Sequence, residues 1–130
     1  MANPNLFAAT TASGTTTYYT PGGTSALVLV PNAASSGQVF KINQIVVANV
    51  TGSAANATVA IYSNGAVAQG SAPSGGTAYP IVSAVSVPAN ASLIAVDKTT
   101  AVYLMEGTSI SITSGTASSL TFSISYEVIS

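Results

Sequence analysis

The chain has 130 residues, of which Lys and Arg total 2 and Asp and Glu total 3. Charged residues make up 4% of the sequence, against about 25% in an ordinary soluble domain. This length suits one domain, and the net charge of −1 argues against nucleic acid and anionic lipid as partners. Histidine and cysteine are absent, which excludes Ser-His-Asp and Cys-His catalysis and metal sites built on imidazole or thiolate.

The first 20 residues are predicted to form an extended N-terminal arm. The opening stretch, MANPNLFAATTASG, has no basic region and only a short apolar patch, so we expect no secretory signal. Residues 8–17 are rich in Ala, Thr, Ser and Gly and have little to bury. A domain covering residues 21–130 would then follow the arm.

Four apolar or aromatic residues in the arm are candidate assembly contacts. Leu6 and Phe7 form an isolated apolar pair near the terminus and need a surface to pack on. Tyr18 and Tyr19 offer large contact areas with polar tips. The alternative for the tyrosine pair is that one ring covers the end of the chain's own core.

The middle of the chain alternates apolar and polar residues, which predicts strands. SALVLVPN (25–32) reads as one strand, and IVVANV (45–50) as a central strand apolar on both faces. ATVAIY (57–62) alternates and is followed by Asn64-Gly65, which favours a two-residue hairpin turn. Residues 64–77 are predicted to be a long loop.

The C-terminal half continues the strand pattern. YPIVSAVSVPAN (79–90) carries two prolines, which confine it to the edge of a sheet or to a bulge. SLIAVDK (92–98) and AVYLMEG (101–107) read as strand, turn and strand. TSISITSG (108–115) and LTFSISYEVIS (120–130) alternate clearly and are predicted to pair as a hairpin.

About eight short strands with no helical periodicity predict an all-β domain. We expect a single antiparallel β-sandwich of jelly-roll type. With so few charges, its sheet edges lack the lysines that usually prevent edge-to-edge pairing. We therefore expect a protein that associates with other subunits, the alternative being a monomer.

No constellation for catalysis is visible. The acids are Asp97, Glu106 and Glu127, and although two carboxylates could serve glycoside hydrolysis, the chain has no Trp to form a sugar platform. We expect no enzymatic activity, no cofactor and no metal site. Three glycosylation-like triplets begin at Asn49, Asn56 and Asn90, and we read them as unmodified because Ser, Thr and Asn are abundant.

Residues 32–62, 85–115 and 120–130 resemble a family of short virion structural proteins of tailed phages, especially those that infect marine cyanobacteria. The resemblance is carried by the segments Phe40–Asn43, Val47–Asn49, Val87–Ala89, Tyr103-Leu104 with Glu106-Gly107 and Ser109-Ile110, and Ser125–Glu127. Relatives carry more acids and lysines in the same turns, and the first 31 residues of this chain match least well.

The resemblance implies a small β-sandwich used on the outside of capsids as a decoration or cement protein. The implied partners are the major capsid protein or other virion proteins, in a homo-oligomer for which a trimer is favoured. The implied location is the virion, on the outer capsid surface rather than the tail. A tail, fibre or baseplate component, a cell-surface carbohydrate-binding module and a self-assembling extracellular fibre subunit remain alternatives.

Overall fold

The computed structural model describes residues 3–130, and within this range the chain is all-β. The nine strands of the described range are β1 (Ala12–Tyr19), β2 (Leu27–Asn32), β3 (Val39–Asn49), β4 (Ala55–Tyr62), β5 (Ala78–Val87), β6 (Ser92–Val96), β7 (Val102–Leu104), β8 (Thr108–Ser114) and β9 (Leu120–Ile129). A 3₁₀ turn, Lys98–Thr100, separates β6 from β7. No helix in residues 3–130 is long and apolar enough to span a membrane.

The strands form two antiparallel sheets. Sheet A has the order β1, β9, β3, β6, and the short β7 also pairs with β3. Residues 40–42 of β3 lie opposite β7 and residues 45–48 lie opposite β6, so β6 and β7 together cover one edge of β3. Sheet B has the order β2, β8, β4, β5. The predicted all-β class with antiparallel sheets is confirmed.

One hydrophobic core is built from both sheets. Ile42 and Ile45 of β3 and Phe122 of β9 are fully buried, together with Ile110 and Ile112 of β8 in the other sheet. Because successive residues of a strand point to opposite faces, the alternation seen in the sequence places one face of each strand in this core. Burying one such side chain contributes roughly 1.5–3 kcal/mol.

The predicted hairpin of residues 108–115 with residues 120–130 is wrong. β8 pairs with β2 and β4 in sheet B, whereas β9 pairs with β1 and β3 in sheet A, so the 115–119 turn crosses between sheets. The strand that follows β3 likewise crosses to the other sheet instead of pairing with it. Alternation identifies the residues that face the core, but both sheets share that core, so the pattern does not say which sheet a strand joins.

The predicted N-terminal arm is not confirmed as a separate arm. Residues 12–19 are strand β1, which pairs with β9 without a break from Ala12 opposite Ile129 to Tyr19 opposite Phe122. Thr15, Thr16 and Thr17 are β-branched and favour a pleated strand. Residues 1 and 2 of the predicted arm lie outside the described residues.

The 63–77 loop joins β4 to β5 and hydrogen-bonds to residues of β2, β4 and β8. Tyr62 Oη donates to the carbonyl of Gly76 at 2.9 Å, and Ser109 Oγ donates to the carbonyl of Asn64 at 2.9 Å. Farther along the loop, Gly70 N and Ser71 O pair with the carbonyl and amide of Val28, both at 2.9 Å. β4 and β5 are therefore a hairpin, but its connection is this long strap and not a two-residue Asn-Gly turn.

Two buried asparagines end two of the strands after which the chain changes sheets, β2 and β3. Asn32 closes β2 and Asn49 closes β3, with 1% and 3% of their surfaces exposed. Asn32 Nδ2 donates to the carbonyl of Leu104 in the opposite sheet at 3.0 Å. Asn49 Nδ2 donates to the carbonyl of Val87, also in the opposite sheet, at 3.0 Å.

Replacing Asn49 by Ala is expected to lower the free energy of unfolding by about 1–3 kcal/mol, because buried polar groups would lose their partners. The carbonyls of Val87 and Ser53 and the amide of Thr51 all bond to the Asn49 side chain. Urea denaturation measures the change. Asn56→Ala, at an exposed position of β4, is the control and should change stability by less than about 0.5 kcal/mol; equal effects of the two substitutions would contradict the assignment.

Gly65→Ala is expected to destabilise the protein by about 1–3 kcal/mol, because an added methyl group would force backbone apart. A Cβ at this position would overlap the carbonyl oxygen of Asn32 and lie 2.6 Å from that of Thr108. Thermal unfolding followed by circular dichroism measures the loss. At Gly52 an added Cβ meets nothing within 4 Å, so Gly52→Ala should leave the midpoint nearly unchanged; a similar midpoint for both variants would refute the close approach.

Candidate functional site

The N-terminal segment before β1 lies along the end of sheet A. Thr10 N and Thr11 N both donate to the carbonyl of Ser130, at 2.8 and 3.0 Å. Nearer the terminus, the amide of Glu106 donates to Asn3 Oδ1 at 3.0 Å. The segment is thus attached to its own sheet at both ends of residues 3–11.

An exposed apolar surface surrounds this segment. Leu6, Tyr103 and Met105 have 49%, 48% and 52% of their surfaces exposed and, with Pro4 and others, line a depression of about 270 Å³. Phe7, the next residue after Leu6, is fully exposed. We call Leu6, Phe7, Tyr103 and Met105 the N-terminal patch.

Strand geometry explains why Tyr103 faces outward. In β7, Leu104 is buried opposite Phe40, so the preceding residue points to the other face of sheet A. Tyr103 lies opposite Lys41, and Lys41 in turn lies opposite Glu127 of β9. An aromatic ring and two opposite charges therefore form one row across the outer face of sheet A.

A second, more polar groove adjoins the N-terminal patch. It measures about 440 Å³, and Leu6, Tyr103, Lys41, Glu127 and Ala12 are among the residues that line it. Lys41 Nζ lies 4.0 Å from Glu127 Oε2, with 38% and 41% of the two side chains exposed. Because both groups are hydrated, this ion pair contributes little, about 0–1 kcal/mol.

Tyr18 and Tyr19 point to opposite faces of β1 and do not act together. Tyr19 lies opposite Phe122 and packs against the core, with its ring 3.1–3.3 Å from where a Cβ of Gly70 would be. Tyr18 lies opposite Ser123 on the outer face and is 70% exposed. One ring therefore packs on the chain's own core and the other is available for contact.

The candidate contacts do not form a single site. Leu6 and Phe7 are in the N-terminal patch, whereas Tyr18 is six residues along β1 from Ala12 at the polar groove, roughly 20 Å away. Sequence reasoning missed Tyr103 and Met105. The alternation of Tyr103 with the core residues Val102 and Leu104 does predict that its ring points outward. It does not predict which residues from distant parts of the sequence lie beside that ring.

Each of the three acids has its own local partners. Hydrogen bonds from the hydroxyl and then the amide of Thr99 hold the pKa of the Asp97 carboxyl below its ordinary value of 3.8. Glu106 Oε2 accepts from the amide of Gly37 at 3.1 Å, and Glu127 Oε2 accepts from Asn43 Nδ2 at 3.3 Å. Among residues 3–130, no three His, Cys, Asp or Glu side chains are grouped as a metal would require.

Comparisons of the chain with protein-family models, with curated proteins and with solved structures found no match.

Replacing Phe7 by Ser is expected to reduce binding of a hydrophobic fluorescent dye without changing the unfolding midpoint, because its ring contributes exposed area but no core packing. Dye fluorescence and thermal unfolding measure the two effects. Tyr79→Ser is the matched control, since Tyr79 is 61% exposed on β5 in the other sheet. If both variants lost dye equally, the patch would not be the main apolar surface.

Proposed function

We propose that the chain is a jelly-roll sandwich and a non-enzymatic virion structural protein, acting as a decoration or cement protein on the outer capsid surface. The observation that carries the structural role is the N-terminal patch, on a chain that has five charged residues in all. Leu6, Tyr103 and Met105 are about half exposed around one depression, and Phe7, the next residue after Leu6, is fully exposed. The assignment to a virion rests on the resemblance of residues 32–130 to phage virion proteins.

The pairing order supports the jelly roll. β1 pairs with β9, β2 with β8, β3 with β6 and β7, and β4 with β5. Each strand is thus paired with its counterpart on the other side of the β4–β5 loop. A single long hairpin folded over on itself and rolled into two sheets gives this order, and jelly rolls are common among viral capsid and lectin domains.

The N-terminal patch supports an assembly role. Apolar surface that is contiguous and exposed usually marks an interaction site, and aromatic residues in such surfaces carry most of the binding free energy. The Phe7 side chain is fully exposed, so docking its ring in a pocket of a partner would be favourable in proportion to the apolar area that is buried. The proposed partner is the major capsid protein or another virion protein.

Repetition would make modest contacts sufficient. A homo-oligomer presents one patch per subunit to a lattice with the same spacing, and each further contact then forms at high effective concentration. In this mechanism the protein stabilises the shell by bridging neighbouring capsid subunits, and no chemical step is needed.

The capsid role is tested by preparing particles with and without this protein and measuring the temperature at which they release DNA. We expect particles without it to open at a lower temperature, and added wild-type protein to restore the original value. Phe7→Ser and Tyr103→Ser should restore less, whereas Tyr79→Ser should restore fully. Identical release temperatures with and without the protein would refute the stabilising role.

Antibody labelling of intact particles separates the head from the tail. Label over the head lattice is expected, and label confined to the tail would favour a tail, fibre or baseplate component. The 63–77 loop, which a tail protein could use for host contact, is hydrogen-bonded to sheet B at Asn64, Gly70, Ser71 and Gly76.

A carbohydrate-binding module is the second candidate, and the polar groove favours it. Tyr103 offers an exposed ring for stacking, and Lys41 and Glu127 beside it offer partners for sugar hydroxyls. Binding of the isolated protein to a glycan array at micromolar concentration, lost in Tyr103→Ser, would favour this function over the first.

A further inference from the structure

We propose that the free edge of β1 pairs with the β1 edge of a second copy of the chain, antiparallel, about a two-fold axis at Thr15. This inference deepens the proposed function. It rests on that function in one respect: both require that copies of the chain associate with one another. The pairing would join the two copies of sheet A into one continuous sheet across the dimer.

The hydrogen-bonding pattern of β1 leaves one side of the strand unpaired. Thr11 and Ser130 exchange both backbone hydrogen bonds, at 3.0 and 3.1 Å, and the register continues without a shift to Tyr19. Narrow and wide pairs alternate in an antiparallel ladder. Ala12, Gly14, Thr16 and Tyr18 therefore direct their N–H and C=O groups away from β9, and no residue within 3–130 hydrogen-bonds to these groups.

In sheet B, both edge strands are protected. β2 contains Pro31, which has no N–H to donate, and Val28 is already bonded to Gly70 and Ser71 of the strap. β5 contains Pro80, and its pairing with β4 has register shifts on both sides of Val59 of β4. Proline and bulges are common protections against edge pairing.

The far edge of sheet A is also a poor template. It is made of β6 with 5 residues and β7 with 3, separated by the 3₁₀ turn Lys98–Thr100. β1, by contrast, has 8 residues, no register shift, no proline and no charge. Of the sheet edges in the described part of the chain, only that of β1 is long, regular and free of proline. The 63–77 loop contacts the side chains of Thr17 and Tyr19 on its inner face, but it makes no hydrogen bond to the outward backbone groups.

The outward groups fix the register. Because only the even-numbered residues of β1 present backbone groups to the free edge, a two-fold pair must match even residues with even residues. An axis at Thr15 places Gly14 opposite Thr16 and Ala12 opposite Tyr18 of the second copy, and this choice uses nearly the whole strand. Axes at residue 14 or 16 would pair a shorter part of the 12–19 span.

The side chains on the outer face suit this register. The large Tyr18 side chain projects from one end of β1, whereas Ala12 and Gly14 at the other end have small side chains or none. Nothing lies within 4 Å of a Cβ built at Gly14. The two-fold axis brings each large ring beside the partner's small residues, which is a favourable cross-strand arrangement. Because residues 12–19 carry no charge, a second copy meets no like charge at the axis.

A single cysteine tests the register, since the natural chain has none. At the proposed axis, Thr15 faces Thr15 of the partner in a non-hydrogen-bonded pair, with Cα atoms about 4.5 Å apart, which is within the disulfide range of about 4.4–6.8 Å. Thr15→Cys should form a disulfide-linked dimer under mild oxidation. Ser13→Cys is the control, because the two introduced thiols would lie roughly 13 Å apart along the strands. Equal crosslinking of both variants would overturn the register.

Removing one outward N–H tests the pairing itself. In Gly14→Pro the lost N–H faces the free edge, so pairing with β9 is retained, and circular dichroism should show an intact fold. Because of the two-fold axis, the dimer loses two intermolecular hydrogen bonds, one from each copy of Gly14. The dimer dissociation constant should therefore rise about tenfold in sedimentation equilibrium. Gly14→Ala keeps the N–H and should dimerise like the wild type.

Three results overturn the proposal: a wild-type protein that stays monomeric at a few hundred micromolar, a trimer in solution, or equal dissociation constants for Gly14→Pro and Gly14→Ala. All of these measurements use the purified protein. If the protein dimerises but particles with and without it release DNA at the same temperature, the pairing stands and the capsid role is refuted. If the protein stays monomeric but raises the release temperature, the capsid role stands and the pairing is refuted.

Discussion

Two buried amide side chains fix two of the points at which this chain leaves one sheet for the other, the β2–β3 and β3–β4 crossings. Asn32 and Asn49 are each the last residue of a strand, and each donates to the end of a strand in the opposite sheet. Both also bond to the turn that follows: Asn32 to Ser36 and Gln38, Asn49 to Thr51 and Ser53. Because a buried amide must satisfy both its oxygen and its nitrogen, each one selects a single path for the chain.

The sequence predicted the fold class and most of the strands, because those depend on local alternation. It did not predict which strands pair, and the reason is visible at Ser114 and Leu120. Both are fully buried ends of strands, so a tight hairpin and a sheet-to-sheet crossing would show the same alternation on either side. The pairing is decided by contacts such as that of Asn49 with Val87, 38 residues apart, which no local pattern records.

The candidate surface was predicted in part for a similar reason. An isolated apolar pair at a terminus identifies Leu6 and Phe7 as residues in need of a surface, and both are exposed. Their neighbours Tyr103 and Met105 come from the opposite end of the sequence and were recognisable only once β7 was paired with β3. The first 20 residues were expected to form an extended arm because they have little to bury. Residues 12–19 are instead strand β1, and hydroxyl side chains bond to one another across the sheet, as Thr16 does to Ser125 at 3.0 Å.

Three of the four sheet edges in the described part of the chain are protected by backbone features and not by charged side chains. Proline, register shifts and the 63–77 strap occupy the edges where lysine would commonly be found. Such protection does not depend on salt, because it involves no charge to be screened. This protection does not extend to the β1 edge of sheet A, and the N-terminal patch is exposed beside the same sheet.

The burial of Asn49 makes covalent modification and folding mutually exclusive at that residue. Asn49-Val-Thr51 has the form of a glycan acceptor, and so do the triplets at Asn56 and Asn90, which lie at exposed positions. The Asn49 amide nitrogen, the atom a glycan would join, is the one that donates to Ser53 and Val87. A sugar attached there before folding would leave no room for the β3–β4 crossing, so a host cell that glycosylates nascent chains would produce molecules unable to close their two sheets.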